Sequence, residues 1–337
     1  AGMPDDEQQR VRELALPAIA AYRDSGSEPH PVDRELAVEM MAFLGGRPVE
    51  GRLAEFFLHE IDLDGTDPGA ARWGSEVPSS ARADSPVVVI GAGMGGILAG
   101  IRLAEAGLPF TIVDANPGPG GTWWENRYPG ARVDVGSHQY CYSFASYDWT
   151  EFYCRQPELQ AYFEHVVDLY DLRSQCRFDT RVEAIRWDDG AHRWQVRCRA
   201  GDGPSVELAA RFVISAVGAL NIPRLPDIPG AETFAGPTFH SARWPADLDL
   251  DGARLALVGA GASGFQIGPA VADRVEHLTI FQRTAQWVLP NPLYHEPVPA
   301  GEHWALRHLP AYGRWVRFAR MFPGVAAGTA AHRVDPD

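Results

Sequence analysis

The stretch from Val87 to Gly96, VVVIGAGMGG, decides the fold of this 337-residue chain. Four β-branched residues make a short strand pattern, the glycines follow in the order GxGxxG, and a helical pattern comes next. Glycines have no Cβ, so the backbone N–H groups of such a turn can approach a pyrophosphate at the positive end of the helix. The stretch therefore predicts a strand–turn–helix unit that binds a dinucleotide.

A second stretch of the same kind, LALVGAGASG, runs from Leu255 to Gly264. One glycine-rich turn alone often serves only as a connection, but two of them, each after an apolar run, favour dinucleotide binding. The pair predicts an α/β fold with two Rossmann-like dinucleotide-binding domains. The expected nucleotide contacts are Gly91, Gly93, Gly95 and Gly96 in the first domain, and Gly259, Gly261, Ser263, Gly264 and Gln266 in the second.

The residue after the next strand distinguishes the two ligands, because it meets the adenosine ribose. In the first domain this strand pattern ends at Asp114, whose carboxylate can accept hydrogen bonds from the free ribose hydroxyls of FAD or NAD. In the second domain it ends at Gln282, Arg283 and Thr284, and a guanidinium suits a bidentate phosphate contact. Arg283 could also be no more than a solvated charge. We predict FAD in the first domain and NADPH in the second, with Arg283 and Thr284 as contacts.

The composition narrows the classes of partner. Acidic residues outnumber Lys and Arg by 44 to 30, a formal net charge of −14, whereas binding to nucleic acid requires a basic excess. The four cysteines show no CxxC spacing, so neither a metal site nor a redox-active disulfide is predicted. No apolar run reaches the roughly 18 residues that cross a bilayer, and the N-terminus lacks a signal-peptide pattern. We expect a cytoplasmic protein with no membrane partner, and its oligomeric state is left open.

Local patterns divide the chain further. The N-terminal part is helical, with a predicted break at Pro17 and a helix cap at Asp33. Alternating patterns around Asp188-Asp189-Gly190 predict an antiparallel hairpin, residues 212–218 a strand that returns to the main sheet, and residues 304–322 a half-buried helix. The predicted segments are an N-terminal helical extension (1–63), a linker (64–86), an FAD-binding domain (87–225), an interdomain linker (226–252) and an incomplete NADPH-binding domain (253–337).

The segment between the two domains resembles a known family. Residues 234–245 read FAGPTFHSARWP, which matches the FxGxxxHxxxW(P/D) signature of the type I Baeyer-Villiger monooxygenases. A second block, residues 120–134 (GGTWWENRYPGARVD), is similar to the same family. Related N- and S-oxygenating flavin monooxygenases usually end the signature differently from Trp244-Pro245. The helical extension resembles that of the longer members of the family.

The resemblance implies an FAD- and NADPH-dependent enzyme that inserts one oxygen atom of dioxygen next to a ketone carbonyl, through a flavin C4a-peroxide, to give an ester or lactone. It also implies the roles of several residues. Asp134 would lie at the flavin edge and support a catalytic arginine, and His240 would be a candidate catalytic residue, although a hinge or coupling role suits its place better. Trp244 would be a packing anchor. The implied flavin contacts are Gly121, Thr122, Trp123, Asp134 and Tyr140.

The chain departs from the family pattern after the second glycine-rich turn. Members of the family continue beyond the point that corresponds to Asp337, and the segment with the catalytic arginine belongs to that continuation. We therefore expect the arginine to lie outside the given sequence. Two alternatives stay open: an N- or S-oxygenating flavin monooxygenase, and a catalytically incomplete nucleotide-binding fragment. The identity of the ketone cannot be predicted from these residues.

Overall fold

The computed structural model describes residues 4–26, 32–63, 65–67, 69–71, 76–288 and 290–334, with the backbone alone over 325–334. These residues form two compact units, one from residues 1–66 with 301–337 and one from residues 67–300. We call the first the helical unit and the second the nucleotide unit. Positions 64, 68 and 72–75 of the predicted linker lie outside the described residues.

The secondary structure elements follow one another in this order. The helices are α1 (Asp5–Asp24), α2 (Arg34–Gly45), α3 (Gly51–Ile61), α4 (Ser79–Ala83), α5 (Met94–Glu105), α6 (Thr122–Glu125), α7 (Gln156–Leu169), α8 (Ala262–Val271), α9 (Ala300–His308) and α10 (Tyr312–Val334). The strands are β1 (Val87–Ile90), β2 (Phe110–Val113), β3 (Cys176–Arg177), β4 (Thr180–Asp188), β5 (Arg193–Ala200), β6 (Ser205–Ala210), β7 (Phe212–Ser215), β8 (Arg254–Val258) and β9 (His277–Phe281).

A parallel sheet in the order β3-β2-β1-β7 forms the centre of the nucleotide unit. Its inner strand β1 is an apolar run because parallel strands are covered on both faces, and Val87, Val88 and Val89 are buried. Helix α5 crosses from β1 to β2 and buries Ile97 and Ile101. The predicted α/β fold is confirmed, including the return of the strand at residues 212–215 to the sheet beside β1.

A separate antiparallel sheet in the order β4-β5-β6 follows the third strand of the main sheet. The predicted hairpin is correct. Its turn is held by the Asp188 carboxylate, which accepts hydrogen bonds from the N–H groups of Gly190 and Ala191, each at 3.0 Å. The third strand, β6, was not predicted.

The second glycine-rich stretch forms a smaller module of the same design. Strands β8 and β9 are parallel and in register from Arg254 opposite His277 to Val258 opposite Phe281. Helix α8 connects them and buries Ile267 and Val271. The sequence predicted each of these three elements.

Helix α7 and the loops before it supply the largest core of the nucleotide unit. Trp149, Tyr162 and Phe163 are fully buried there, and the Tyr162 hydroxyl links two parts of the loop, since it accepts a hydrogen bond from Tyr142 N–H and donates one to the Ala145 carbonyl. This core fixes the segment that carries the predicted flavin contacts.

The helical unit has a core of its own, formed by α2, α3 and α10. Phe57 of α3 meets Phe318 of α10 edge to face, with ring centroids 4.9 Å apart. Asp33 caps α2 as predicted, since its carboxylate accepts the Leu36 N–H at 2.9 Å. The helical unit thus includes α10, whose Phe318 and Phe322 pack on Phe57 of α3. The predicted domain boundary of 253–337 stays a prediction.

Two local predictions for the helices are wrong. Helix α1 runs through Pro17 rather than ending there. Proline removes one helical hydrogen bond, and Glu13, four residues earlier, is exposed, so water can solvate its carbonyl. The single helix predicted over 304–322 is two helices, and Ala311 between them has a positive φ of 54°.

Candidate functional site

The first glycine-rich turn joins β1 to α5 at very close range. A Cβ at Gly96 would lie only 1.7 Å from the Gly91 carbonyl oxygen, so no larger residue fits while the helix stays in place. Gly93 is the N-cap of α5, and no side chain caps that helix end. The first N–H groups of a helix without a side-chain cap suit a phosphate. The four glycines predicted as contacts therefore lie together at the C-terminal end of β1.

Asp114 holds the turn from the end of the neighbouring strand. One carboxylate oxygen accepts the Ala92 N–H at 2.6 Å and the other accepts the Asn116 N–H at 2.7 Å. The residue is only 8% exposed. Burial raises the pKa of Asp114, and the two backbone N–H groups offset part of that rise. The structure places Asp114 where the sequence predicted, and a contact with a ribose stays a prediction.

The predicted flavin segment lies against the same turn. Gly120 donates its N–H to the Ala92 carbonyl at 2.9 Å, which brings Gly121 next to Gly93. Trp123 is buried and donates its indole N–H to the Tyr140 hydroxyl at 3.0 Å. The predicted flavin contacts Gly121, Thr122, Trp123 and Tyr140 thus lie close together beside the first glycine-rich turn. Thr122 is the first residue of α6.

The second glycine-rich turn repeats the close approach. A Cβ at Gly264 would lie 2.3 Å from the Gly259 carbonyl oxygen, and Gly261 is the N-cap of α8 without a side-chain cap. Gly259 donates its N–H to the Phe281 carbonyl at 2.9 Å. Arg283 and Thr284, two and three positions after Phe281, are therefore near this turn, and both are exposed.

A cavity of about 1100 Å³ lies between the loop at residues 127–134 and helix α8. Among the residues that the structure describes, its lining is completed by Arg155, Gln156, Pro157, Val288, Pro290, Asn291, Tyr294 and His295. It exceeds the usual range of roughly 300–1000 Å³ for a pocket that holds a drug-sized ligand. The loop that follows α6 and the helix of the second glycine-rich module thus contribute to the wall of one cavity.

Asp134 presents an exposed carboxylate to this cavity and is held by groups of the second module. The Gln266 side-chain N–H donates to it at 2.8 Å, and the Tyr294 hydroxyl donates to the same oxygen at 3.4 Å. Burial raises the pKa of Tyr294, so this hydroxyl stays protonated at neutral pH. Gly130, with a φ of +83°, lets the backbone of α8 approach, since a Cβ there would lie 2.6 Å from the Gln266 carbonyl.

Arg132 is a buried cation in the same wall, with a side chain only 5% exposed. Its guanidinium donates to the Tyr294 carbonyl at 2.5 Å, lies 3.3 Å from the Glu151 carboxylate and stacks over the Tyr294 ring at 5.2 Å. Backbone pairing supports this contact, because Phe152 donates its N–H to the Glu296 carbonyl at 3.1 Å. Buried charges require such partners.

The signature segment lies outside the cavity lining, and its Trp244 packs against the core that contains Ile267 and Val271 of α8. The His240 Nδ1 accepts the Ala242 N–H at 3.1 Å, which caps a short 3₁₀ helix. Arg243 pairs with Glu125 of α6 at 2.5 Å, and Trp244 packs edge to face on Phe239. These contacts join the signature to α6. A catalytic role for His240 stays a prediction.

The sequence did not point to Arg132 and Tyr294 of the cavity wall, nor to Glu151, which pairs with Arg132. Arg132 was part of the quoted block, but its burial has no sequence signal. Glu151 and Tyr294 are 143 positions apart in the chain and meet Arg132 only through the pairing of residues 150–152 with 296–298. Neither Glu151 nor Tyr294, which lies in a proline-rich stretch, is part of a recognisable sequence motif.

Comparisons with known proteins agree with this geometry. A family model described as pyridine nucleotide-disulphide oxidoreductase matches residues 85–296. An uncharacterized monooxygenase of Sinorhizobium fredii is 33% identical over 323 residues, which cover 95% of this chain and 47% of the relative. A Baeyer-Villiger monooxygenase of Streptomyces coelicolor is 44% identical over 207 residues, 61% of this chain and 39% of the relative.

A solved structure of OTEMO in complex with FAD and NADP is similar with a TM-score of 0.61 and 37% identity, over 67% of this chain and 43% of that one. The chain thus spans less than half the length of each of these three proteins. Among the described residues, no helix is long and apolar enough to cross a membrane.

Proposed function

Because this chain belongs to the pyridine nucleotide-disulphide oxidoreductase family, and within it to the type I Baeyer-Villiger monooxygenases, we propose that it serves the FAD- and NADPH-dependent conversion of a ketone to an ester or lactone. The observation that carries the proposal is the cavity of about 1100 Å³, which is lined by the loop at residues 127–134, just after the predicted flavin contacts in the chain, and by helix α8 of the second glycine-rich module. A hydride donor and its acceptor must meet at one place, and a shared cavity provides it.

The residues of the first module fit FAD. The uncapped N-terminus of α5 would hold the pyrophosphate, and the close approach at Gly96 leaves room for no side chain between helix and turn. Asp114 would accept ribose hydroxyls with the lone pairs that its two backbone hydrogen bonds leave. Trp123 and Tyr140 would border the isoalloxazine ring system.

The residues of the second module fit NADPH. The N-terminus of α8 would hold the second pyrophosphate. Arg283, exposed and two positions after the end of β9, would contact the phosphate on the adenosine ribose. The cofactors would supply the redox chemistry, because a flavin reduced by NADPH can activate dioxygen and amino-acid side chains cannot.

The protein's own part is to position groups and to set the charge in the cavity. The Asp134 carboxylate faces the cavity, while Arg132 is held by Glu151 and the Tyr294 carbonyl. Asp134 is therefore suited to hold a further cation at the reacting edge, such as an arginine from another part of the protein. A small-molecule ketone would enter this cavity beside the flavin. Walls that exclude water strengthen the effect of such a cation.

Cofactor binding and product analysis together test the proposal. We expect the purified protein to retain FAD and to bind NADP⁺, and the complete protein to convert ketones to esters or lactones with consumption of NADPH and dioxygen. Amine oxides or sulfoxides without any ester would instead support an N- or S-oxygenating enzyme. A protein that binds neither nucleotide would contradict the proposal altogether.

A single variant tests the assignment of the two nucleotides. In Arg283→Ala the preference for NADPH over NADH should fall by about 10- to 100-fold, because a hydrogen bond between charged groups contributes about 1.5–3 kcal/mol. Arg254→Ala is the matched control, since Arg254 is an exposed arginine at the opposite end of the same parallel pair of strands. If the two variants prefer NADPH over NADH to the same extent, Arg283 does not contact the nucleotide.

A further inference from the structure

Gln266 is the most extensively hydrogen-bonded side chain between the two modules and is only 7% exposed. Its NH₂ group lies 3.0 Å from the Arg132 carbonyl, 2.8 Å from the Asp134 carboxylate and 3.0 Å from the Tyr294 hydroxyl. Its carbonyl oxygen accepts the Tyr128 hydroxyl at 2.9 Å and the Arg132 N–H at 3.4 Å. One amide thus joins α8 to the loop at residues 128–134 and to Tyr294.

The partners allow only one orientation of this amide. The Arg132 carbonyl and the Asp134 carboxylate can only accept hydrogen bonds, so the NH₂ group must face them. A flipped amide would place its oxygen against both acceptors and its NH₂ against the Arg132 N–H. The orientation is therefore set by the chain itself, and the capacity of the Gln266 amide is used on protein groups.

This arrangement determines where Asp134 points. Its carboxylate is exposed on the cavity side, and the hydrogen bonds described for it come from Gln266 and Tyr294, both of which belong to the second half of the nucleotide unit. Gln266 lies about one turn from the start of α8, whose N-cap is Gly261. The backbone hydrogen bonds of the helix fix the spacing between the glycine-rich turn and the Gln266 amide.

We propose that Gln266 is a positioning residue, which orients the Asp134 carboxylate and couples the second nucleotide site to the flavin edge. The inference rests on the proposed function and deepens it. It also replaces the direct nucleotide contact that the sequence predicted for Gln266. A nucleotide at the N-terminus of α8 acts on the flavin site through the Gln266–Asp134 hydrogen bond.

A double-mutant cycle on the FAD-loaded full chain tests the inference, because residues that act through one hydrogen-bond network give non-additive effects, whereas independent contributions add. The variants are Gln266→Met, which keeps the length of the side chain, Asp134→Ala, and the two combined. The readouts are the NADP⁺ dissociation constant and the change that NADP⁺ causes in the flavin absorbance spectrum. We expect each single variant to weaken NADP⁺ binding about tenfold, in the range of ordinary coupling between sites.

The combined variant distinguishes the outcomes. If Gln266 acts through Asp134, adding Gln266→Met to Asp134→Ala changes the affinity by no more than about twofold. If the two effects multiply, to about a hundredfold, Gln266 contacts the nucleotide directly and the inference is wrong. It is equally wrong if neither single variant changes the affinity or the spectrum.

Two further measurements separate positioning from a loss of structure. Asp134→Asn removes the charge at the other end of the same hydrogen bond without altering α8, and should reproduce the spectral change of Gln266→Met. Gln266→Glu places a second carboxylate 2.8 Å from Asp134 and should weaken binding more than Gln266→Met, although glutamate is nearly isosteric; the reverse order would indicate a packing role. A parent protein that binds no FAD or NADP⁺ overturns the proposed function itself, whereas binding with an additive cycle overturns only the role of Gln266.

Discussion

The substitution Gly96→Ala addresses the contact on which the first nucleotide site depends. The Cβ of the new alanine would lie 1.7 Å from the Gly91 carbonyl oxygen, whereas ordinary contacts of a Cβ begin near 3.4 Å. Gly95 is the adjacent residue on the same helix, and a Cβ there would meet only the Ala216 Cβ at 3.8 Å. Gly95→Ala is therefore a control that differs only in which side of α5 receives the methyl group.

The structure sets the size of the expected effect. In Gly96→Ala the helix must move away from the turn by about 1.7 Å, the difference between the two distances above. Overpacking in a well-packed region costs about 1–3 kcal/mol, and a shift of the backbone places this case near 3 kcal/mol. For a unit of this size that corresponds to a decrease in Tm of about 6–12 °C. Gly95→Ala should change the free energy of unfolding by less than about 1 kcal/mol. The change should be a gain, because alanine has a higher helix propensity than glycine.

Thermal unfolding of the nucleotide-free protein, followed by far-UV circular dichroism, measures this difference. Amide hydrogen exchange over residues 87–105 gives a local readout of β1 and α5. Gly96→Ala should accelerate exchange there and should also lose FAD. If the two variants unfold at the same temperature and exchange at the same rate, α5 does not approach the turn as described, and the argument for the first site fails.

Three further predictions concern other parts of the chain. Phe318→Ala should cost about 3–5 kcal/mol of the helical unit's stability, whereas Phe43→Ala, at a residue 86% exposed, should cost less than about 0.5 kcal/mol in the same urea unfolding experiment; equal costs would contradict the described core. Asp114→Asn places an NH₂ group against a backbone N–H and should cost about 1–3 kcal/mol. Since burial raises the pKa of the native carboxyl group above its ordinary value of 3.8, the folded state binds the proton more tightly, and the parent protein gains stability as the pH falls from neutral toward 4. The cost of Asp114→Asn, from urea unfolding at both pH values, should therefore be larger at pH 4 than at pH 7, and the opposite trend would exclude this burial effect. Burial also raises the pKa of Cys154 to about 12, so in native protein at pH 8 this thiol should resist a thiol reagent and react only in denaturant; a rapid reaction that Cys154→Ser abolishes would show that it is accessible.

Local patterns were sufficient for much of the fold. Each strand–turn–helix unit is predicted by an apolar run followed by a glycine spacing, and both of these patterns involve only residues that are close in the chain. The cap at Asp33 and the hairpin turn at Asp188 are local for the same reason. The prediction failed at Pro17, where an exposed helix tolerates one missing hydrogen bond, and within residues 304–322, where Ala311 with its positive φ separates α9 from α10.

The sequence by itself determined the two dinucleotide modules, their order and the opposite charges of Asp114 and Arg283, because these properties depend on residues that are close in the chain. Only the tertiary structure placed Gln266 against Asp134, 132 positions away, and buried Arg132 between Glu151 and Tyr294. The physical reason is that a hydrogen bond between distant segments requires the whole backbone to bring its two atoms within about 3 Å. No periodicity or spacing in the sequence encodes that approach.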